Sequence, residues 1–158
     1  MIAASRKTVA VAALGSAALL VGAFIFQALG YAPCQMCYWQ RWPHGMAIAF
    51  AAVALYDMGW VWIVGGGISA AITSALGMFH VGVENKWWDG PASCTGGGNG
   101  LGNLSGNDLL SVDVIDKLVM CDEVSWALFG ISMPGWNFVF SALLVGLWGL
   151  ALRQHLRG

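Results

Sequence analysis

Four apolar runs, separated by two short polar breaks and one long one, organise this chain. Thr8 to Gly30 carries 23 residues without a charge. A helix rising 1.5 Å per residue needs about 20 such residues to cross a hydrocarbon core. The next uncharged run, Trp42 to Tyr56, has only 15 residues. Its helix is therefore expected to extend outward past Arg41 and to include Cys37. Met58 to Phe79 supplies 22 uncharged residues, ending at His80. The last apolar stretch runs from Val124 to Leu152, with Pro134 opening its spanning part. Only Val81 to Met133 is both long and polar. The pattern predicts an all-α membrane protein, a four-helix transmembrane bundle in a single domain, 1–158. Spans are expected at about 8–30, 37–56, 58–80 and 134–152, with outer loops at about 31–36 and 81–133.

Local signals refine this outline. Arg6 and Lys7 precede the first run, as in a signal peptide, but a signal core is about 7–15 residues and this run is longer. Tyr31-Ala32-Pro33 reads as a turn, with Pro33 suited to the first position of the second helix. Pro43 falls one turn inside that helix and is expected to bend it. Tyr38, Trp39 and Trp42 read as an aromatic belt at the interface. Gly65-Gly66-Gly67 and Ser69-Ala70-Ala71 supply small residues for close helix packing. In the long loop, Trp87 and Trp88 read as interfacial anchors. The stretch from Thr95 to Gly100 is flexible by composition. Asn107 is placed to cap a short helix through Met120, lying either on the lipid surface or packed as an ordinary loop helix.

Composition agrees with the pattern. The chain is 58% hydrophobic and only 9% charged, with a mean hydropathy of +0.69; soluble domains carry about 25% charged residues. The net charge of −1 says little, but its distribution says more. Four of the seven basic residues, Arg6, Lys7, Arg153 and Arg157, lie at the two ends. Between Val81 and Met133, seven acidic residues face two basic ones, a formal charge of −5. Basic ends and an acidic middle put both termini on the cytoplasmic side. No basic patch suits a nucleic acid.

The chemistry-bearing residues fall on the opposite side. All four cysteines lie in the two outer loops: Cys34 and Cys37 in the first, Cys94 and Cys121 in the second. An even count on an oxidising face points to disulfides. Cys34-Gln35-Met36-Cys37 ends at Arg41 one turn later. On a helical first turn, the positive helix end and Arg41 would both favour a thiolate, the reactive form. Cys94 and Cys121 are separated by 26 residues rich in glycine, so a bridge between them is expected to be mobile and exposed. Two exchangeable pairs on one face suggest a relay by thiol–disulfide exchange. Against this stand a purely structural Cys94–Cys121 bridge and a zinc site. The wide second spacing disfavours zinc, which favours two close pairs, so no metal is expected.

A relay needs an electron acceptor, and the sequence holds no haem, flavin or nucleotide motif. A membrane quinone, ubiquinone or menaquinone, is the nearest candidate. Arg41 is placed to stabilise negative charge on its ring, with His80 as a second donor. The plain alternatives are a lipid-phosphate anchor for Arg41 and an interfacial histidine without chemistry for His80. His44 carries a weaker signal, and His155 lies at the cytoplasmic end.

These residues resemble the disulfide-bond-formation protein B (DsbB) family of bacterial inner membranes. The segment Pro33-Cys34-Gln35-Met36-Cys37-Tyr38-Trp39-Gln40-Arg41 is similar to the family's first-loop motif. His80-Val81-Gly82-Val83-Glu84, Trp87-Trp88 and Ala92-Ser93-Cys94 are similar to its second-loop opening. The resemblance covers nearly the whole chain. It implies a periplasmic thioredoxin-fold partner, DsbA-like, that attacks Cys94. Cys121 would then exchange with Cys34, and Cys37 beside Arg41 would face the quinone. Two other readings compete. One is a vitamin K epoxide reductase-like enzyme, whose loop pair precedes its close pair, the reverse of the order here. The other is a non-enzymatic membrane scaffold with structural disulfides.

Overall fold

The computed structural model describes residues 2–57, 59–91, 94 and 120–157. Among the described residues, four long helices dominate: α1 (Ile2–Ala28), α2 (Gln35–Tyr56), α3 (Trp60–Glu84) and α4 (Met133–Leu156). A two-stranded antiparallel hairpin, β1 (Ala127–Leu128) and β2 (Ile131–Ser132), leads into α4. The expected loop helix from Asn107 and the glycine-rich stretch lie outside the described residues.

The helices pack in a ring, α1 against α2, α2 against α3, α3 against α4, and α4 back onto α1. Sequence explains why. α1 and α3 each bury a stripe made mostly of small or polar residues at i, i+3, i+4 and i+7 spacing and turn most of their large apolar residues outward. In α1 the buried stripe is Ser5, Val9, Ala12 and Ser16, while Leu14, Val21, Phe24 and Ile25 are exposed. In α3 it is Gly66, Ala70, Thr73, Gly77 and His80. Small inside and large outside reverses the soluble pattern and is how helices pack in lipid. Three helices, Ala3–Ala28, Trp60–Glu84 and Met133–Leu156, are long and apolar enough to cross a membrane. The chain is a membrane protein of mostly helical fold. α2 does not reach that standard, because Gln35, Gln40, Arg41 and His44 occupy its first three turns.

The core has a rigid lower tier. Trp148 of α4, 1% exposed, lies across the glycines of α3. A methyl group at Gly66 would sit 2.3 Å from the Trp148 ring. Higher up, Gly77 lets α3 meet the α4 backbone, with Phe138 N 3.0 Å from where a Cβ would stand. Ser5 Oγ donates to the Ala151 carbonyl at 2.9 Å, tying the first helix to the last.

Several local expectations change. Pro33 lies before α2, not at its first position; Cys34 is the capping residue, and its sulfur accepts from the Cys37 amide at 3.2 Å. α2 runs on through Pro43 without interruption. α3 carries on past His80 to Glu84, so His80 is an interior residue. The last apolar stretch is not one helix. Its first part folds back as the hairpin, whose turn residues Phe129 and Gly130 have φ of 53° and 78°. Two successive positive φ values are what a tight two-residue hairpin turn requires, and glycine meets that at no steric cost. Trp88 folds back over Gly82, donating from Nε1 to the Phe79 carbonyl at 2.9 Å and stacking on the Phe79 ring.

Candidate functional site

The start of α2 delivers two of the sulfurs. Cys34 caps the helix and Cys37 occupies its first turn, so the Sγ atoms meet at 2.8 Å. Closing a disulfide from there needs a shift of under about 1 Å. The hydrogen bond to Cys37, together with burial, pushes the Cys34 thiol well above the ordinary range. The Cys37 amide pulls the other way and is outweighed. Of the two sulfurs, Cys34 is therefore the one that holds its proton.

The second pair comes to the same place. Cys34, Cys94 and Cys121 form one buried group with Met36 and Val83, and Cys37 packs against it. The Cys121 amide donates to the Cys94 carbonyl at 2.8 Å, and the Cys94 amide to the Pro91 carbonyl at 2.7 Å. The exposed position expected for the loop pair is not what the fold presents. Cys94 and Cys121 are each 1% exposed, packed with Val83 and with Cys34 at the α2 cap.

His80 stands between the two pairs. Its Nε2 is 3.6 Å from Cys34 Sγ, and the ring also engages the backbone of Cys121. Its Nδ1 meets the side-chain amide of Gln40 at 2.9 Å. An amide nitrogen only donates, so Nδ1 is the bare nitrogen and Nε2 carries the hydrogen. That order bears on the ligand-like trio Cys34, Cys37 and His80, whose ligating atoms lie within 4.8 Å of one another. A metal needs the lone pair that the Gln40 contact leaves on the other side of the ring.

Arg41 lies one turn beyond Cys37 and turns toward α1. Nη1 donates to Gln27 Oε1 at 2.6 Å, and Nη2 to the Ala23 carbonyl at 3.4 Å. The guanidinium sits over the Phe24 and Tyr38 rings, at 4.9 and 5.0 Å. Its Nε is buried and has no partner among the described residues. Arg41, Cys37, Gln40, His44 and His80 all line a cavity of about 390 Å³ between the helix ends. Most of the remaining wall is apolar, from α1 (Leu19, Ala23, Phe26) and from the hairpin and α4 (Leu128, Phe140). Glu84, which accepts from the Ser132 hydroxyl, forms part of the rim.

Below the sulfurs lies a polar tier that the sequence reading passed over. Asn137 Nδ2 donates to Gln40 Oε1 at 2.7 Å and to Thr73 Oγ1 at 3.3 Å. His44 Nε2 meets Asn137 Oδ1 at 2.9 Å. Three helices thus fix Gln40, which in turn fixes His80. The available signal was a lone amide and an imidazole inside otherwise apolar runs, since intramembrane polar residues are costly and mark function.

Comparison with known proteins agrees with this arrangement. A family model described as Disulfide bond formation protein DsbB matches residues 5–151. A curated protein from Xanthomonas oryzae pv. oryzae (strain MAFF 311018), Disulfide bond formation protein B, is 30% identical over 151 residues, covering 87% of this chain and 84% of its own. One of the same name from Verminephrobacter eiseniae (strain EF01-2) is 32% identical over 154 residues, covering 93% and 85%. No solved structure matches this chain significantly.

Proposed function

This chain belongs to the DsbB family of disulfide bond formation proteins, and from that premise we propose that it is a membrane thiol–quinone oxidoreductase. It reoxidises a DsbA-like thioredoxin-fold dithiol protein and passes the electrons to ubiquinone or menaquinone. The observation that carries the proposal is the gathering of all four cysteines in one cluster, of which Cys34 and Cys37 line an apolar cavity.

Each residue takes a role from its position. With both pairs oxidised, the partner's thiolate attacks Cys94, which leads the loop pair, breaking the Cys94–Cys121 bond and releasing Cys121 as a thiolate. Cys121, touching His80, then attacks Cys34 on the other side of the ring, breaking the Cys34–Cys37 bond and releasing Cys37 as a thiolate. The Nε2–H of His80 is aimed at Cys34 and stabilises negative charge on that sulfur as it leaves or arrives. Cys37 and Arg41 face the cavity together. A quinone supplies a two-electron acceptor there. The cavity suits its head group in size, since small-molecule sites span about 300–1,000 Å³. It suits it in chemistry too, through apolar walls and the buried, unpartnered Nε of Arg41.

Membrane placement follows the same reading. α2 is 22 residues long, comparable with its neighbours, and is flanked by them on both sides. We take it as the fourth span, its polar residues turned into the bundle. The basic chain ends face the bacterial cytoplasm and the cysteine loops face the periplasm.

A direct test uses purified protein and a DsbA-like partner that retains only its attacking cysteine. A mixed disulfide should form at Cys94 and be lost in Cys94→Ser. With the intact reduced partner, added quinone should be reduced in step with partner oxidation. No adduct and no quinone reduction would sink the proposal.

A further inference from the structure

The polar tier beneath the sulfurs fixes more than His80. With the Gln40 and Asn137 amides oriented as in the structure, its hydrogens follow one from another. The Thr73 hydroxyl donates to the Gln40 carbonyl at 3.0 Å, so its oxygen is left to accept from Asn137. That assigns Asn137 Nδ2 to the side facing Thr73 and Gln40, and Oδ1 to the side facing His44 and the Ser141 hydroxyl, at 2.9 and 3.4 Å. An amide oxygen only accepts, so His44 Nε2 must carry a hydrogen. In the neutral ring, Nδ1 is then a bare lone pair. That nitrogen is buried, has no partner among the described residues, and belongs to a side chain 3% exposed on the cavity wall.

Cys37, Arg41 and His44 stand at i, i+4 and i+7 on one face of α2. Arg41 and His44 both line the cavity, three residues apart along α2. Their hydrogen-bonding characters are opposite. Arg41 only donates, which suits a carbonyl. His44 offers only an acceptor, which suits a hydroxyl.

We infer that His44, held in one tautomer by Asn137, makes the cavity favour the hydroxyl-bearing, reduced form of its quinone over the oxidised form. This rests on the quinone reading above and adds to it a residue that sets which redox form is held. Asn137 is the positioning residue, acting only through the imidazole. A hydrogen bond inside a membrane protein changes an equilibrium by roughly three- to fifteen-fold. For a two-electron couple, that fold-change corresponds to about 15–35 mV.

The test measures the midpoint potential of decylubiquinone bound to the purified full-length protein, by spectroelectrochemistry, alongside separate binding titrations of decylubiquinone and decylubiquinol. His44→Phe should lower the bound potential by about 15–35 mV, through weaker quinol binding, with quinone binding little changed. His44→Gln should stay near the wild type, because its amide nitrogen can donate to Asn137 while its oxygen accepts from the ligand. His44→Met repeats the removal with a flexible side chain, should phenylalanine prevent folding. A potential unchanged in both His44→Phe and His44→Met overturns the inference while leaving the quinone site standing. A rise in potential also overturns it, because His44 would then be a donor. Failure of the wild type to bind either form overturns the quinone reading itself.

Discussion

Replacing Gln40 by methionine removes two hydrogen-bonding groups at nearly constant length and leaves the apolar stem in place. The amide oxygen accepts from Asn137 at 2.7 Å and the amide nitrogen donates to His80 at 2.9 Å. After the change, Asn137 Nδ2 keeps Thr73 at 3.3 Å, but His80 Nδ1 keeps nothing. Side-chain hydrogen bonds inside membrane proteins average about 0.6 kcal/mol and reach about 1.7. Two short bonds therefore set the loss at about 1–3 kcal/mol. The orphaned acceptor in a residue buried as deeply as His80 puts the expectation in the upper half of that range. The measurement is reversible unfolding in mixed micelles of sodium dodecyl sulfate and a non-ionic detergent. Asn137→Leu, alone and combined with Gln40→Met, completes a double-mutant cycle. Their shared bond should be lost only once, giving a coupling of at least about 0.5 kcal/mol. A Gln40→Met loss below about 0.5 kcal/mol, or strictly additive single losses, would refute the view that these side chains form one connected tier.

Two further outcomes follow from the packing and from the thiols. Gly66→Ala places a methyl against the buried Trp148 ring and should cost about 1–2 kcal/mol once alanine's better helix propensity is subtracted. In a Trp148→Leu background the same change should be neutral or stabilising; an equal cost in both backgrounds would show that the ring is not the obstacle. In the fully reduced protein, the buried Cys34 thiol keeps its proton between about pH 6 and 9, since its acid dissociation is pushed upward. Mass-spectrometric mapping of maleimide labelling over that range should therefore find Cys37 modified before Cys34, and the reverse order would contradict the assignment of the proton.

Much of the site was readable from the one-dimensional pattern. Uncharged runs marked the helices, the short second one extended outward past Arg41, and the Cys34–Cys37 spacing with Arg41 one turn later marked the dithiol and its cation. What escaped was tertiary. Glycine-rich composition around Cys94 and Cys121 argued for exposure, yet burial depends on what the flanking chain packs against, and Val83 and the α2 cap are distant in sequence. The tautomers of His44 and His80 depend on Asn137, nearly a hundred positions away from Gln40, and no local rule links them. The hairpin at Ala127–Ser132 was hidden inside an apolar stretch. Only its Phe129-Gly130 turn distinguishes it from the helix that follows, and a single glycine is weak punctuation.

The chemistry draws on the chain's second, third and last helices, and that has a bearing on how the molecule is born. A ribosome finishes Cys34 and Cys37 early, and His80 next, while Asn137 and Ser132 are still untranslated. Until the final helix enters the bilayer, the imidazoles have no fixed tautomer and the cavity lacks a wall. An unfinished chain thus holds a dithiol without the surroundings that direct it, and competence arrives only when the bundle is closed by its last segment.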